Sequence, residues 1–290
     1  SSRALTLSLA LRASLARQVN NAGMNKGREG ARETDWPEII TVNYLGPFLL
    51  TLLLEPKLLR HATETSVSRV VNVSSIMHRF STLAQGIARL DRSGGSDTTV
   101  IDAFMRPETE GSQLGVDEAV STSRLYSDTK LGNALFTVWL NTRWQQRSKD
   151  GSRLRAVSVD PGGVVTGIWR NSRWENSGLL GSVFAPASDG AEALYDCCVG
   201  PLSEPSTSAD FHARGAFKSS LLHYGPESKR LALAAALVAA VDWPIRNLSR
   251  GRLASTTEAV RAAPACYETN IVSALGDATE AFLADRGLLE

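Results

Sequence analysis

A tyrosine and a lysine stand four residues apart in YSDTK, Tyr126 and Lys130. On a helix that spacing puts the phenol and the ammonium on one face, within reach of a common ligand. A free phenol, with a pKa of about 10, is a poor base near neutrality, but a neighbouring cation stabilises the phenolate and lowers that value. Such a pair can exchange a proton with an alcohol or a carbonyl. The same spacing occurs on ordinary amphipathic helices, so it gains meaning only from its company. Ser74 and Ser75 close the run RVVNVSS, whose β-branched residues predict a buried parallel strand opening into a loop. A hydroxyl at that carboxyl edge, where open α/β sheets gather ligands, can donate to a substrate oxygen; it can equally start a turn. Asn43, in ITVNYLG, is a polar group expected to be buried, and a buried amide needs partners or bound water. Asn20-Asn21-Ala22-Gly23 reads as a turn at a strand end, where small residues let a ligand approach the backbone.

The elements that must hold these residues follow from the apolar pattern. Residues 36–61 carry helical recurrence, opened by Asp35 as an N-cap with Pro37 close behind, and predict one long buried helix. Strands are expected at 69–73 and at 154–159, the second closed by Asp160-Pro161-Gly162-Gly163, with a helix over 123–146 between them. Helix, strand, helix, strand is the order of an α/β sheet of parallel strands. Residues 76–125 are polar and rich in acids, and read as an inserted surface loop with at most short helices. Residues 167–255, with scattered aromatics, read as a region lying over the substrate side, and 271–286 as a final helix. No repeat and no linker divides the 290 residues, so one domain is expected.

Composition narrows the function classes. With 43% hydrophobic and 21% charged residues the chain has material for a sizeable core, which excludes disorder and fibrous structure. Thirty-one basic against 30 acidic residues, net +1, give no field for nucleic acid. Cys197, Cys198 and Cys266 fit neither a disulfide framework nor the spacing of a zinc site, so a reducing compartment and no metal are expected. An intracellular, cytoplasmic location follows from this. The apolar stretch 231–241 is too short to cross a bilayer, which needs about 20 residues; peripheral membrane contact through it is the remaining membrane reading.

NNAG (20–23), the Asn of VNYLGPFLLT (Asn43), VVNVSS (70–75), YSDTKLGN (126–133) and PGGVVT (161–166), in this order, resemble the short-chain dehydrogenase/reductase superfamily. VNYLGPFLLT, VVNVSS followed by His78, and YSDTKLGN are most similar to its branch containing retinol dehydrogenases and the WW domain-containing oxidoreductase. The likeness covers roughly 18–193. It implies a Rossmann-like, doubly wound parallel sheet and an NAD- or NADP-dependent exchange between alcohol and carbonyl. Tyr126 would be the general acid/base, Lys130 would lower its pKa and bind the nicotinamide ribose, Ser75 rather than Ser74 would hold the reacting oxygen, and Asn43 would orient a relay water. Asn21, Ala22 and Gly23 would line the cofactor, and Pro161, Gly162, Val164 and Thr166 would contact its nicotinamide end. The apolar residues of 178–241 suggest a small lipophilic substrate.

The sequence departs from that family in three places. Only nineteen residues precede Asn20, none of them Gly, so the TGxxxGxG turn that cradles pyrophosphate is missing, as is a ribose selector. Gly23, Gly27 and Gly30 follow NNAG and do not replace it. The first residues are rich in Arg and Ser, like a transit segment or a surface helix, and the chain begins at Ser; an N-terminally truncated version of the fold is therefore expected, with 1–17 atypical. Arg17 and Gln18 stand where a buried strand wants apolar residues, and loss of the first strands would expose an edge open to self-association. The interval from Ser75 to Tyr126 is longer than usual, and Asp160 stands where relatives often carry His. The alternative reading is an inactive remnant that binds a partner through its exposed edge.

Overall fold

The β-branched runs pair side by side into one sheet. The computed structural model describes residues 15–25, 37–63, 65–92, 100, 101, 104, 118–147, 153–169, 185–201, 211–213 and 257–289. Among these, five strands lie in the order β1 (Arg17–Asn20), β2 (Ser68–Val73), β3 (Leu154–Asp160), β4 (Phe211–Ala213) and β5 (Glu258–Val260). The first four are parallel and β5 is antiparallel to β4. Every residue of β2 and β3 is buried, as expected of central parallel strands covered on both faces.

Helices supply that cover. On one face α1 (Glu38–His61), α3 (Glu118–Arg147) and α5 (Thr269–Ala284) pack with Val70, Leu154, Ala156 and Phe211 in the main core. On the other, Val71, Val73, Val157 and Val159 meet Ala193 and Cys197 of α4 (Ala187–Val199). This is the expected doubly wound α/β architecture. The core between α1 and α3 is aromatic: Phe48 stacks on Phe136 at 4.3 Å, and Tyr44 meets Phe104 edge-on at 4.9 Å. Among the described residues α1 alone is long and apolar enough to cross a membrane. Its Ile40, Tyr44, Phe48 and Leu58 are buried against the sheet and neighbouring helices, as in a core helix.

Four findings differ from the sequence expectations. Strand β1 forms in spite of Arg17 and Gln18, because both find polar partners. Gln18 donates to Asn20 Oδ1 and Thr51 Oγ1, each at 2.9 Å, and Arg17 donates to the carbonyls of Ala16, Val67 and Cys198. A buried polar row, Asn20, Asn72 and Ser158, runs in register across β1, β2 and β3, linked through Thr51 and Thr137; satisfied in this way, it can replace apolar packing. Second, α1 is interrupted at Thr41–Leu45 by one wider turn, closed by the Gly46 N–H on the Thr41 carbonyl. Third, the described part of 76–125 is not a surface loop. It holds a 3₁₀ turn at Ile76–Phe80, α2 (Leu83–Arg92) and the first turns of α3, and it buries Ile76, His78, Leu83, Ile87, Val100, Ile101 and Phe104. Leu83 and Ile87, one helical turn apart, were the legible signal among the acids. Fourth, the described part of 167–255 includes α4 and β4, which build the sheet layer; the apolar stretch 231–241 and most of 178–241 lie outside the described residues.

Candidate active site

Helix α3 brings Tyr126 and Lys130 to the carboxyl ends of β2 and β3. Lys130 is buried, its Nζ donating to the Val73 carbonyl at 3.0 Å and standing 5.3 Å from the centre of the Tyr126 ring. Asn133 Nδ2 donates to the same carbonyl at 3.1 Å. The Ser74 hydroxyl donates to the Lys130 carbonyl at 2.8 Å, so Ser74 fastens the strand end to the helix. Ser75, in extended backbone, turns its hydroxyl to the Tyr126 phenol and accepts the Met77 N–H at 3.3 Å. Both serines were legible in the sequence; only their opposite directions separate the one facing Tyr126 from the one serving the fold.

The wider turn of α1 places Asn43 beneath the loop after β1. Its Oδ1 accepts the Met24 N–H at 2.8 Å, and its Nδ2 donates to the Met24 carbonyl at 2.8 Å and to Thr129 Oγ1 at 3.1 Å. The side chain thus holds the loop, with its oxygen and both amide hydrogens bonded to protein partners. Gly23 lies over this amide: a Cβ there would sit 3.6 Å from Asn43 Oδ1 and 3.8 Å from Lys130 Nζ. Asn21, Ala22 and Gly23 are exposed, at a strand end where a ligand can approach the backbone.

The loop after β3 forms the facing side. Gly162 adopts φ +84°, a conformation that favours glycine, and donates its N–H to Asp160 Oδ1 at 3.0 Å. Val164 and its neighbours are pinned by Ala185, through Val165 N–H to the Ala185 carbonyl at 2.8 Å and Ala185 N–H to the Gly163 carbonyl at 2.9 Å. Gly190 of α4 lets Val164 approach, since a Cβ there would lie 2.9 Å from Val164 Cγ1. Pro161 is half-buried, and Thr166 is exposed, accepting the Ile168 N–H at 3.4 Å.

Electrostatics supplied the residue whose role the sequence did not reveal. Asp160, at the end of β3, is buried, and burial pushes its carboxyl up to about 6 against the pull of two backbone N–H bonds and Lys130. Burial brings Lys130 down to about 8, with Asp160 opposing. The sequence expectation for Tyr126 was a lowered pKa; here burial, then the negative charge of Asp160, raises it, and the Ser75 hydrogen bond only partly offsets this. The visible signal was a carboxylate ending the apolar run LRAVSVD. His78 is also buried, its Nδ1 2.6 Å from the Ser75 carbonyl and its Nε2 accepting the Ala263 N–H at 3.0 Å.

A nicotinamide and its ribose fit this arrangement: small exposed residues lie over the Lys130 ammonium on one side, and the glycine turn after β3 faces them. No glycine precedes Gly23 in the sequence, and the described residues include no phosphate-cradling turn before β1.

No protein-family model matches the chain. It is similar to the short-chain dehydrogenase/reductase prx1 of Penicillium rubens, 29% identical over 151 residues, covering 52% of this chain and 35% of that protein. Over 65 residues it is 43% identical to the polyprenol dehydrogenase of Mus musculus, covering 22% of this chain and 19% of the other. The chain thus spans about a third or less of the length of these curated relatives. Among solved structures, an uncharacterized protein from Mycobacterium paratuberculosis matches with TM-score 0.49 and 20% identity, over 93% of this chain and 67% of that one. An NADPH-bound carbonyl reductase from chicken fatty liver matches with TM-score 0.42 and 16% identity, over 72% of this chain and 64% of that one. In sequence, the chain is thus similar over part of its length to curated proteins named a short-chain dehydrogenase/reductase and a polyprenol dehydrogenase.

Proposed function

We propose that the chain carries the proton-transfer site of an NAD(P)-dependent oxidoreductase that interconverts an alcohol and a carbonyl. The observation that carries this reading is the convergence of Ser75, Tyr126 and Lys130 at the carboxyl ends of β2 and β3, beside the Asn43-held loop. Tyr126 donates its phenolic proton to a carbonyl oxygen, or accepts it from an alcohol. Ser75, whose hydroxyl lies on the phenol's side, donates to the same substrate oxygen. Lys130 keeps N–H groups beyond the one given to Val73, and these suit ribose hydroxyls. A bound nicotinamide supplies or accepts the hydride. Asn43 positions the loop carrying Asn21, Ala22 and Gly23, the cofactor-facing residues of the proposal, while Pro161, Gly162, Val164 and Thr166 face it from β3.

The reading extends to a small lipophilic alcohol or carbonyl, supported by the apolar residues of 178–241, and to a cytoplasmic enzyme with peripheral membrane contact or self-association. Substitution Tyr126→Phe tests it. Turnover of an aldehyde and ketone panel should fall about 10²–10⁴-fold while dinucleotide affinity, measured by calorimetry, stays unchanged. Wild-type protein that neither binds a dinucleotide nor turns over substrate would instead support the inactive, partner-binding reading.

A further inference from the structure

Beyond Ser75, Tyr126, Lys130 and Asn43, the geometry points to Asp160 as a positioning residue: its carboxylate fastens the two loops around Tyr126 and sets a negative charge at the end of β3 where they meet. This rests on the oxidoreductase reading above for its catalytic meaning, but not for its physical content.

The carboxylate stands between the two loops. Oδ2 accepts the N–H of Ile76, the residue after Ser75, at 2.8 Å, and Oδ1 accepts the N–H of Gly162 at 3.0 Å. One buried side chain therefore holds both the backbone just after Ser75 and the left-handed turn that faces the cofactor end. The link is reinforced one residue earlier by the Ser74 N–H on the Val159 carbonyl at 2.8 Å. An uncharged carboxamide cannot reproduce it, because one of its two ends is itself a donor.

The charge acts on the same phenol. From α3, Tyr126 and Lys130 face Asp160. From the turn after Ser75, His78 accepts a backbone N–H at Nε2 and so carries its proton on Nδ1, as a neutral ring bonded to the Ser75 carbonyl. Asp128, also on α3, is turned to Ser81 and the Thr82 N–H. Asn43 and Met24 bring no charge from the β1 side. A phenolate at Tyr126 would thus form beside a buried carboxylate in a poorly solvated site, where like charges oppose each other strongly.

The reductive step fits this setting. The phenolic O–H bond breaks, its proton passes to the substrate carbonyl oxygen, and a hydride from a reduced nicotinamide adds to the carbonyl carbon, giving the alcohol and the oxidised nicotinamide. Only protonated Tyr126 can begin that step, and burial first, then the charge of Asp160, disfavours its ionisation.

The test needs no turnover. Tyrosine ionisation is followed by ultraviolet difference absorbance on cofactor-free protein, with Tyr126→Phe identifying the signal of Tyr126. In Asp160→Asn, Tyr126 should titrate lower by about one pH unit. Asp160→Ser, smaller and also uncharged, should shift it the same way and serves if the first variant does not fold. Where turnover is measurable, the alkaline limb of the oxidation profile should move down in step with the titration. A lowered melting temperature with the Tyr126 titration unmoved would reduce Asp160 to a structural tie and overturn the inference. Absence of turnover together with a shifted titration would leave the role of Asp160 standing and sink the oxidoreductase reading alone.

Discussion

Lys130 and Asp160 are buried groups of opposite charge that feel each other across the site. Removing one member of such a pair leaves the other without compensation in a poorly polarisable interior, a cost of about 3 kcal/mol or more. Lys130→Met should therefore lose about 3 kcal/mol of stability in urea titration, and in a double-mutant cycle with Asp160→Asn the two losses should be clearly less than additive. Strictly additive losses would show that the two charges do not couple. The types of Tyr126, Lys130, Ser75 and Asn43 were all readable in the chain. Their partners were not, because a hydrogen bond such as Asn43 to Met24 joins residues whose nearness the fold creates. The rise in the Tyr126 pKa escaped for the same reason: spacing showed a cation one turn away, whereas burial and the Asp160 charge come from the packed strands.

Helices α3 and α5 meet through Trp139, whose Nε1–H donates to Asp277 Oδ1 at 2.8 Å while its ring lies on Gly276. A Cβ at Gly276 would overlap that ring, so Gly276→Ala should cost about 1–3 kcal/mol by overpacking. Thermal unfolding should register the loss while the Tyr126 titration stays in place, since the contact is remote from Asp160. Gly132 has the same function against Tyr44, where a Cβ would come within 2.9 Å of Cδ2. Sequence periodicity located the long helices and the two central strands to within a few residues, because burial of a continuous apolar face is written into composition. It missed the packing of Ile87 and Phe104, since the apolar residues of this stretch are few and separated by polar ones. The wider turn in α1 was equally hidden: one inserted residue leaves the apolar pattern nearly intact.

At the scale of the molecule, the buried charges make stability depend on pH in two windows. The folded chain holds the Asp160 proton to about pH 6, whereas an unfolded carboxyl releases it near 3.8. Between those values the folded state binds more protons, so this group's contribution falls as pH rises. Lys130 works in the opposite sense: folded protein releases its proton at about 8, unfolded chain near 10.5, and stability rises with pH across that interval. Melting temperatures measured from pH 4 to 6 should therefore decline for wild type relative to Asp160→Asn, with a difference of about 2–3 kcal/mol developing over the window. Parallel curves would show that Asp160 titrates as an ordinary carboxyl. By itself the sequence determined the α/β class, the central strands, the long helices and the residue types of the candidate site, since periodic burial and local spacing are properties of neighbouring residues. Tertiary structure decided which serine meets the phenol, how Arg17, Gln18 and the polar row find partners, and what charge surrounds Tyr126. Those depend on strands and helices far apart in the chain, and on the low polarisability that exists only once they have packed.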